Sequence, residues 1–333
     1  MKPGILVTRA MFPEVLGRLR ETFDVIDNQA DIEYPPEALA ERLQGRVGLL
    51  SNAADTINAE LISRVPTLRA VCNMAVGYNN FDLAAMTRAG ILATNTPDIL
   101  TETTADFGWA LLMAAARRVS ESERWLRSGQ WKRWTYDMFL GAEVYGSTLG
   151  ILGMGRIGQA LARRASGFSM RVIYHNRSRL SPELEQDTRA TYVSKDDLLK
   201  QADHLVLVLP YSKESHHAIG AAELAQMKPT ATLVNLARGG IVDDAALAQA
   251  LAHKHIFAAG LDVYEGEPKV HPALLDAEHV ALTPHIASAT LGTRLGMANL
   301  AADNLIAALG FGPHAGRPPN LLNPDALAQR ASS

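Results

Sequence analysis

One stretch near the middle of the chain limits its fold more than any other: Thr148-Leu149-Gly150-Ile151-Leu152-Gly153-Met154-Gly155-Arg156-Ile157-Gly158-Gln159-Ala160-Leu161-Ala162. The apolar run from Leu149 to Leu152 reads as a buried strand, and the alanine- and leucine-rich residues from Gln159 onward read as a helix. Between them stand three glycines, each with its own task at a strand-to-helix turn. Gly153 permits the tight turn, Gly155 removes a side chain where a pyrophosphate would approach the backbone, and Gly158 lets helix and strand pack closely. The helix start adds unpaired N–H groups and the positive end of a dipole. Glycine-rich turns also occur for packing alone. Here a second strand, Arg171 to Tyr174, follows at βαβ distance, and the stretch reads as a dinucleotide site.

Strand and helix signals alternate on both sides of this motif. Before it come strands at Gly4 to Val7, Asp24 to Ile26, Val47 to Leu50, Ala70 to Asn73 and Leu92 to Thr94, with helices at Glu14 to Phe23, Glu37 to Leu43, Ala59 to Val65 and Asp82 to Arg88. After it come Val172 to Tyr174, Leu205 to Leu209, Thr232 to Asn235, Ala258 to Asp262 and Val280 to Leu282, with helices such as Ala221 to Gln226 and Asp244 to Ala252. This is the pattern of an α/β protein built on parallel sheets covered on both faces. A length of 333 residues exceeds one ordinary core and calls for two domains. Thr101 to Val119 reads as one long helix with Ala105, Trp109, Leu112 and Ala116 on one face, a core helix that could serve as an interdomain hinge. Thr293 to Leu309 is a final long helix, and Gly312 to Pro324 a proline-rich tail.

Ligands of such sheets bind beyond the carboxyl ends of the strands. Ser51-Asn52 and Ala75-Val76-Gly77-Tyr78-Asn79-Asn80 fall at such ends in the first region. In the second, Arg238, Glu267 and His285 all follow strands. Arginine offers a planar fork to a carboxylate, imidazole exchanges a proton near neutral pH, and a carboxylate bonded to that imidazole orients it. Each alone has a bland reading, as a surface cation, a loop charge and a satisfied histidine. Together they supply what hydride transfer to a 2-keto acid needs.

Four ordered motifs carry a family resemblance: Gly153-Met154-Gly155-Arg156-Ile157-Gly158, Asn235-Leu236-Ala237-Arg238-Gly239-Gly240-Ile241-Val242-Asp243, Gly260-Leu261-Asp262-Val263-Tyr264-Glu265-Gly266-Glu267-Pro268 and Thr283-Pro284-His285-Ile286-Ala287-Ser288-Ala289. Over nearly the whole chain the sequence resembles the D-isomer-specific 2-hydroxyacid dehydrogenases, nearest the glyoxylate/hydroxypyruvate reductase branch with its 2-ketogluconate reductases. The resemblance implies two doubly wound parallel-sheet domains, a Rossmann-type cofactor domain (residues 101–289) inserted into a flavodoxin-like substrate domain (1–100 and 290–325). It implies that Arg238 binds the substrate carboxylate, Glu267 supports the imidazole and His285 donates the proton. It implies that Val76 and Gly77 offer backbone N–H groups to that carboxylate, and that Asp262 orients the nicotinamide carboxamide. Further cofactor contacts are implied at Thr104, Arg156, Ile157, Leu209, Pro210, Ala237 and Ser288, with no metal. Trp134 matches the position at which this branch sends a tryptophan into a neighbouring subunit's substrate pocket. Trp125, Trp131, Trp134, Tyr136, Phe139 and Tyr145 cluster in one glycine-punctuated segment, read as a homodimer interface.

Cofactor choice has a local argument. An NAD enzyme normally places an acid after the second strand of the motif, to hold the ribose 2′-OH. Here Tyr174 is followed by His175-Asn176-Arg177-Ser178-Arg179, without an acid. Asn176, Arg177 and Ser178 suit a 2′-phosphate, so NADP(H) is expected; a plain basic surface turn is the competing reading. Two other activities share these motifs. A phosphite dehydrogenase of this family carries lysine where Val76 stands, and a catalytically idle dinucleotide-sensing corepressor would show damage to the Arg/Glu/His set. A net charge of −3 gives no case for nucleic acid, and no apolar run reaches the ~20 residues that span a bilayer. With one cysteine, Cys72, and no secretory apolar region near Met1, a cytoplasmic location is expected.

Overall fold

Short, mostly apolar runs form the strands of the computed structural model, which describes residues 1–331. The chain divides into two compact units, one made of residues 1–100 with the chain from Thr290 onward, the other of Thr101–Ala289.

In the first unit, β1 (Gly4–Val7), β2 (Asp24–Ile26), β3 (Gly48–Ser51), β4 (Ala70–Asn73) and β5 (Leu92–Thr94) pair in parallel in the order β2-β1-β3-β4-β5. That is the flavodoxin-like doubly wound order. Every residue of β3, β4 and β5 is buried, as a parallel sheet covered on both faces requires. One face packs against Val15, Leu16 and Leu19 of the Pro13–Thr22 helix and Ala298, Ala301, Ala302 and Leu305 of the Leu291–Ala308 helix. The other packs against Leu39, Leu43, Leu61 and Met86. The proline-rich tail returns to the sheet edge: Leu321 bridges Thr94, and the Asn323 side chain accepts from Ala93 N and donates to Ile91 O, both at 2.9 Å. A further helix, Asp325–Ala331, follows it, which the sequence reading lacked.

In the second unit, β6 (Thr148–Leu152), β7 (Arg171–His175), β8 (Ala190–Tyr192), β9 (His204–Leu207), β10 (Thr232–Asn235), β11 (Ala258–Leu261) and β12 (Val280–Leu282) form a parallel sheet. The order β12-β11-β10-β9-β6-β7-β8 reverses between β6 and β9. This is the Rossmann order extended by a seventh strand, and its reversal marks a ligand-binding switch point. Both sheets agree with the fold class expected from the sequence. The long helix does not run from Thr101 to Val119. It stops at Ala116, Arg118 adopts left-handed backbone (φ 54°), and a second helix, Val119–Arg127, begins. The break is secured by the Arg118 guanidinium, which donates to Glu121 through Nε at 2.9 Å and Nη2 at 2.7 Å. Trp125 therefore lies on a helix and not in a loop.

Candidate active site

The glycine turn has the geometry its residues demand. Gly153 sits at φ +104°, and a Cβ there would meet Leu209 N at 2.6 Å. At Gly158 a Cβ would come within 2.5 Å of the Gly153 carbonyl oxygen, so strand and helix touch through bare backbone. Gly155 differs. A Cβ on it meets nothing within 4 Å, and it caps the Arg156–Ala165 helix without a side-chain bond, leaving open space over the helix start. The chain's own packing needs glycine at 153 and 158 but not at 155, which is the fit expected for a pyrophosphate group. Arg156, exposed, and Ile157, half-buried, open that helix. Leu209 and Pro210 leave β9 beside it, and Thr104 is buried on the Thr101–Ala116 helix.

Beyond β7, the Asn176 side chain accepts from Met154 N at 2.6 Å and so ties this turn to the glycine loop. Arg179 is already committed. It grips Glu185 through Nε at 2.8 Å and Nη2 at 2.7 Å, and buried Tyr174 donates to the same carboxylate at 2.7 Å. Those donors hold the Glu185 carboxyl down at about 2, Arg179 contributing most. Arg177 and Ser178 are exposed and have no hydrogen-bond or ion-pair partner among the described residues.

Past β10, β11 and β12 the three ionisable residues lie on turns that interlock. Glu267 uses both carboxylate oxygens: Oε1 accepts from Tyr264 N at 2.9 Å and Oε2 from His285 Nδ1 at 2.8 Å. With Nδ1 donating, Nε2 is the nitrogen left open on the imidazole. Burial pushes the Glu267 carboxyl up, but the His285 bond, the Tyr264 N–H and the Arg238 charge together hold it below its ordinary value. Arg238 is pulled below the usual guanidinium value by burial, against the attraction of Glu267. Its Nη1 donates to Ala237 O at 2.7 Å, and the buried Asn235 side chain shapes the turn by accepting from Ala237 N at 3.0 Å. Gly239 packs so closely that a Cβ would lie 1.7 Å from the Tyr264 carbonyl oxygen. The Arg238 turn is thus seated on the backbone that carries Glu267.

The histidine turn is held from below by Asp262, which is fully buried. Its carboxylate accepts from Thr283 Oγ1 at 2.7 Å, Ile286 N at 2.8 Å and Ala287 N at 2.9 Å. His285 itself adopts left-handed backbone (φ 54°), a conformation costing about 1–3 kcal/mol that persists only when its surroundings over-determine it. Here Asp262 and the Tyr264 hydroxyl, which accepts from Thr283 N at 3.0 Å, supply that constraint. Ser288 is half-buried just beyond. Tyr264 and Gly239 stand in the sequence motifs without a role of their own; the glycine pair after arginine is the one signal of a tight contact there. Trp134 is exposed and meets Tyr136 edge-on, ring centroids 5.3 Å apart, while Trp131 and Tyr145 are exposed as well. Among the described residues one group has metal-ligating atoms in mutual reach, His216, His217 and Glu265; His217 Nε2 already meets Glu265 Oε2 at 3.0 Å.

In the first unit, Val76 and Gly77 lie on the loop after β4, half-buried, and their N–H groups have no acceptor among the described residues.

The family pattern described as "D-isomer specific 2-hydroxyacid dehydrogenase, NAD binding domain" matches residues 109–287. A glyoxylate reductase of Thermococcus gammatolerans is 49% identical over 92% of this chain and 93% of its own. The chain belongs to the D-isomer-specific 2-hydroxyacid dehydrogenase family. Another member, the glyoxylate reductase of Thermococcus onnurineus, is 46% identical over 99% of this chain and 98% of its own. Among solved structures, the NADPH-dependent glyoxylate/hydroxypyruvate reductase of Sinorhizobium meliloti, in complex with NADP and malonate, superposes with a TM-score of 0.86 at 33% identity, covering 98% of each chain. As a family member the protein is an oxidoreductase with a nicotinamide dinucleotide cofactor, as the motifs implied. No helix among the described residues is long and apolar enough to cross a membrane.

Proposed function

We propose that the protein reduces glyoxylate to the corresponding 2-hydroxy acid with NADPH, hydroxypyruvate and 2-ketogluconate being further candidate substrates. The observation that carries the reading is the Glu267–His285 pair: an imidazole anchored through Nδ1 at 2.8 Å, with Nε2 open, beside the turn that bears Arg238. The cofactor, when bound, supplies the hydride. His285 holds a proton at Nε2 for the carbonyl oxygen, and the Glu267 carboxylate, accepting from Nδ1, fixes the plane of the ring. In the second unit Arg238 offers its guanidinium fork to a substrate carboxylate, and in the first the loop after β4 offers the Val76 and Gly77 N–H groups to one. Because Arg238 is partly desolvated, its attraction for an anion is stronger than in water. In this reading residues 1–100 and 290–325 are the substrate domain and 101–289 the cofactor domain.

The residues that would hold the cofactor are the glycine turn at the helix start, where Gly155 leaves room for a pyrophosphate, together with Thr104, Arg156, Ile157, Leu209, Pro210, Ala237, Asp262 and Ser288. Selection of NADPH rests on Arg177 and Ser178, both exposed, in a turn that lacks an acid; Arg177 meets only the charge attraction of Glu214. Glyoxylate is favoured among 2-keto acids because relatives 46–49% identical over nearly the whole chain are named for it. The exposed aromatics Trp131, Trp134, Tyr136 and Tyr145 are the face of a homodimer, with Trp134 serving the neighbour's substrate pocket. A monomer by sedimentation equilibrium at micromolar concentration would count against that face. Initial rates with NADPH and NADH against glyoxylate, hydroxypyruvate, 2-ketogluconate and pyruvate test the activity. The reading expects glyoxylate with NADPH to lead, and it fails if no 2-keto acid supports NADPH oxidation.

A further inference from the structure

The loop after β4 is held by its carbonyls. Ala75 O accepts from Thr96 N at 2.9 Å, Val76 O from Asn95 Nδ2 at 2.7 Å and Gly77 O from Asn73 Nδ2 at 2.8 Å. Three successive carbonyls are therefore engaged by residues at the ends of β4 and β5. Each partner is itself fixed. Asn73 is fully buried and its amide also reaches Asn80 Oδ1 at 3.2 Å, while Asn80 donates to Asn52 O and Asp55 O at 3.0 and 2.8 Å. Asn95 is buried, and its own carbonyl accepts from Asn304 Nδ2 at 3.1 Å.

A trans peptide is planar, so the N–H of one residue points away from the carbonyl of the residue before it. Holding Ala75 O, Val76 O and Gly77 O on the protein side consequently turns the N–H groups of Val76, Gly77 and Tyr78 the other way. None of these three has an acceptor among the described residues. Consecutive outward N–H groups make an anion-binding concavity. We propose that Asn95 and Asn73 are positioning residues for the substrate carboxylate: Asn95 aims the Gly77 N–H, and Asn73 aims the Tyr78 N–H, a third donor beside Val76 and Gly77. The side chains touch no substrate; they act by fixing peptide planes. This rests on the reading above in which the loop binds the carboxylate.

The test separates the two. In ¹⁵N-labelled wild type with NADPH bound, titration with oxalate should move the Gly77 and Tyr78 amide resonances. Asn95→Ala should lose the Gly77 response and raise KM for glyoxylate by roughly ten- to a hundredfold, the loss of one charge-assisted bond, with kcat and NADPH affinity nearly kept. Asn95→Asp keeps the side chain's volume should the alanine variant be unstable. Its ionised form faces Val76 O without a donor, so at pH 8 its KM for glyoxylate should rise as the alanine variant's does. If the wild-type amides do not respond to oxalate, the carboxylate lies elsewhere and both readings fall. If they respond, and both variants keep wild-type KM and amide shifts, the loop reading stands and the positioning role is overturned.

Discussion

A single methyl group on Gly239 asks how closely the Arg238 turn is tied to the loop that carries Glu267. An ideal Cβ at that position lies 1.7 Å from the Tyr264 carbonyl oxygen and 2.3 Å from its carbon. Carbon–oxygen contacts settle at about 3.3 Å or more, so one of the two backbones must retreat by roughly 1.5 Å. The atoms involved are main chain on both sides, and no rotamer change relieves them. Arg238 adjoins the glycine, and Tyr264 N holds Glu267 Oε1 at 2.9 Å, so either retreat carries a functional side chain with it. A misplacement of about 1 Å can cost on the order of 100-fold in rate. Gly239→Ala should therefore lose at least about 100-fold in kcat/KM for glyoxylate with NADPH. Overpacking costs ~1–3 kcal/mol, which for a unit of this size corresponds to a Tm drop of roughly 2–12 °C. Steady-state NADPH oxidation, measured well below the variant's own Tm, separates misplacement from unfolding. A variant with wild-type Tm and kcat/KM within a few-fold of wild type would refute the interlocking of the two turns.

Gly155→Ala should behave in the opposite way, with Tm unchanged, because its Cβ meets nothing within 4 Å, and with weakened NADPH binding by fluorescence titration. Unchanged affinity would place the pyrophosphate elsewhere. Arg177→Ala should erode a preference for NADPH over NADH of roughly ten- to a hundredfold, mainly by raising KM for NADPH; retention of the full preference would remove Arg177 from that role, since Arg179 is bound to Glu185. His204, fully buried on β9, titrates below its usual value because burial opposes its charge, against its bond to the Glu143 carbonyl and the pull of Asp203. The unfolded chain then binds the proton more readily than the folded one. Stability from the neutral ring is complete above about pH 6.5 and is lost as pH falls from there toward the folded value. The wild-type Tm should drop more between pH 7 and pH 5 than that of His204→Gln, and parallel profiles would contradict this.

The strands were the most legible part of the chain. Ala70–Asn73, Leu92–Thr94, Thr232–Asn235 and Val280–Leu282 have the bounds their apolar runs suggest, because a strand covered on both faces is mostly apolar, here with polar residues only at strand ends. β8 was missed, since Ala190-Thr191-Tyr192 is short, lies at the sheet edge and carries no run. The break at Arg118 was hidden by helix-favouring residues on both sides; only the Glu121 side chain, three residues on, signals it. At the candidate site, residue types and their order after strands were enough to single out Arg238, Glu267 and His285. The contacts that shape them were not legible. The Asp262 clasp on the histidine turn, the Gly239–Tyr264 contact and the Asn95 bond to Val76 O each join residues about 20 apart or more in sequence, and only the folded sheet edges bring them together.

His285 carries the central claim, and its replacement tests it most directly. For His285→Ala, turnover of glyoxylate at saturating NADPH should be compared with NADPH affinity measured on the same preparation. Loss of a general acid should lower turnover by about 10²–10⁴-fold. NADPH affinity should stay near wild type, because the ring is bonded through Nδ1 to Glu267 and not to the glycine turn. Turnover within a few-fold of wild type would show that the proton comes from elsewhere, and would contradict the account.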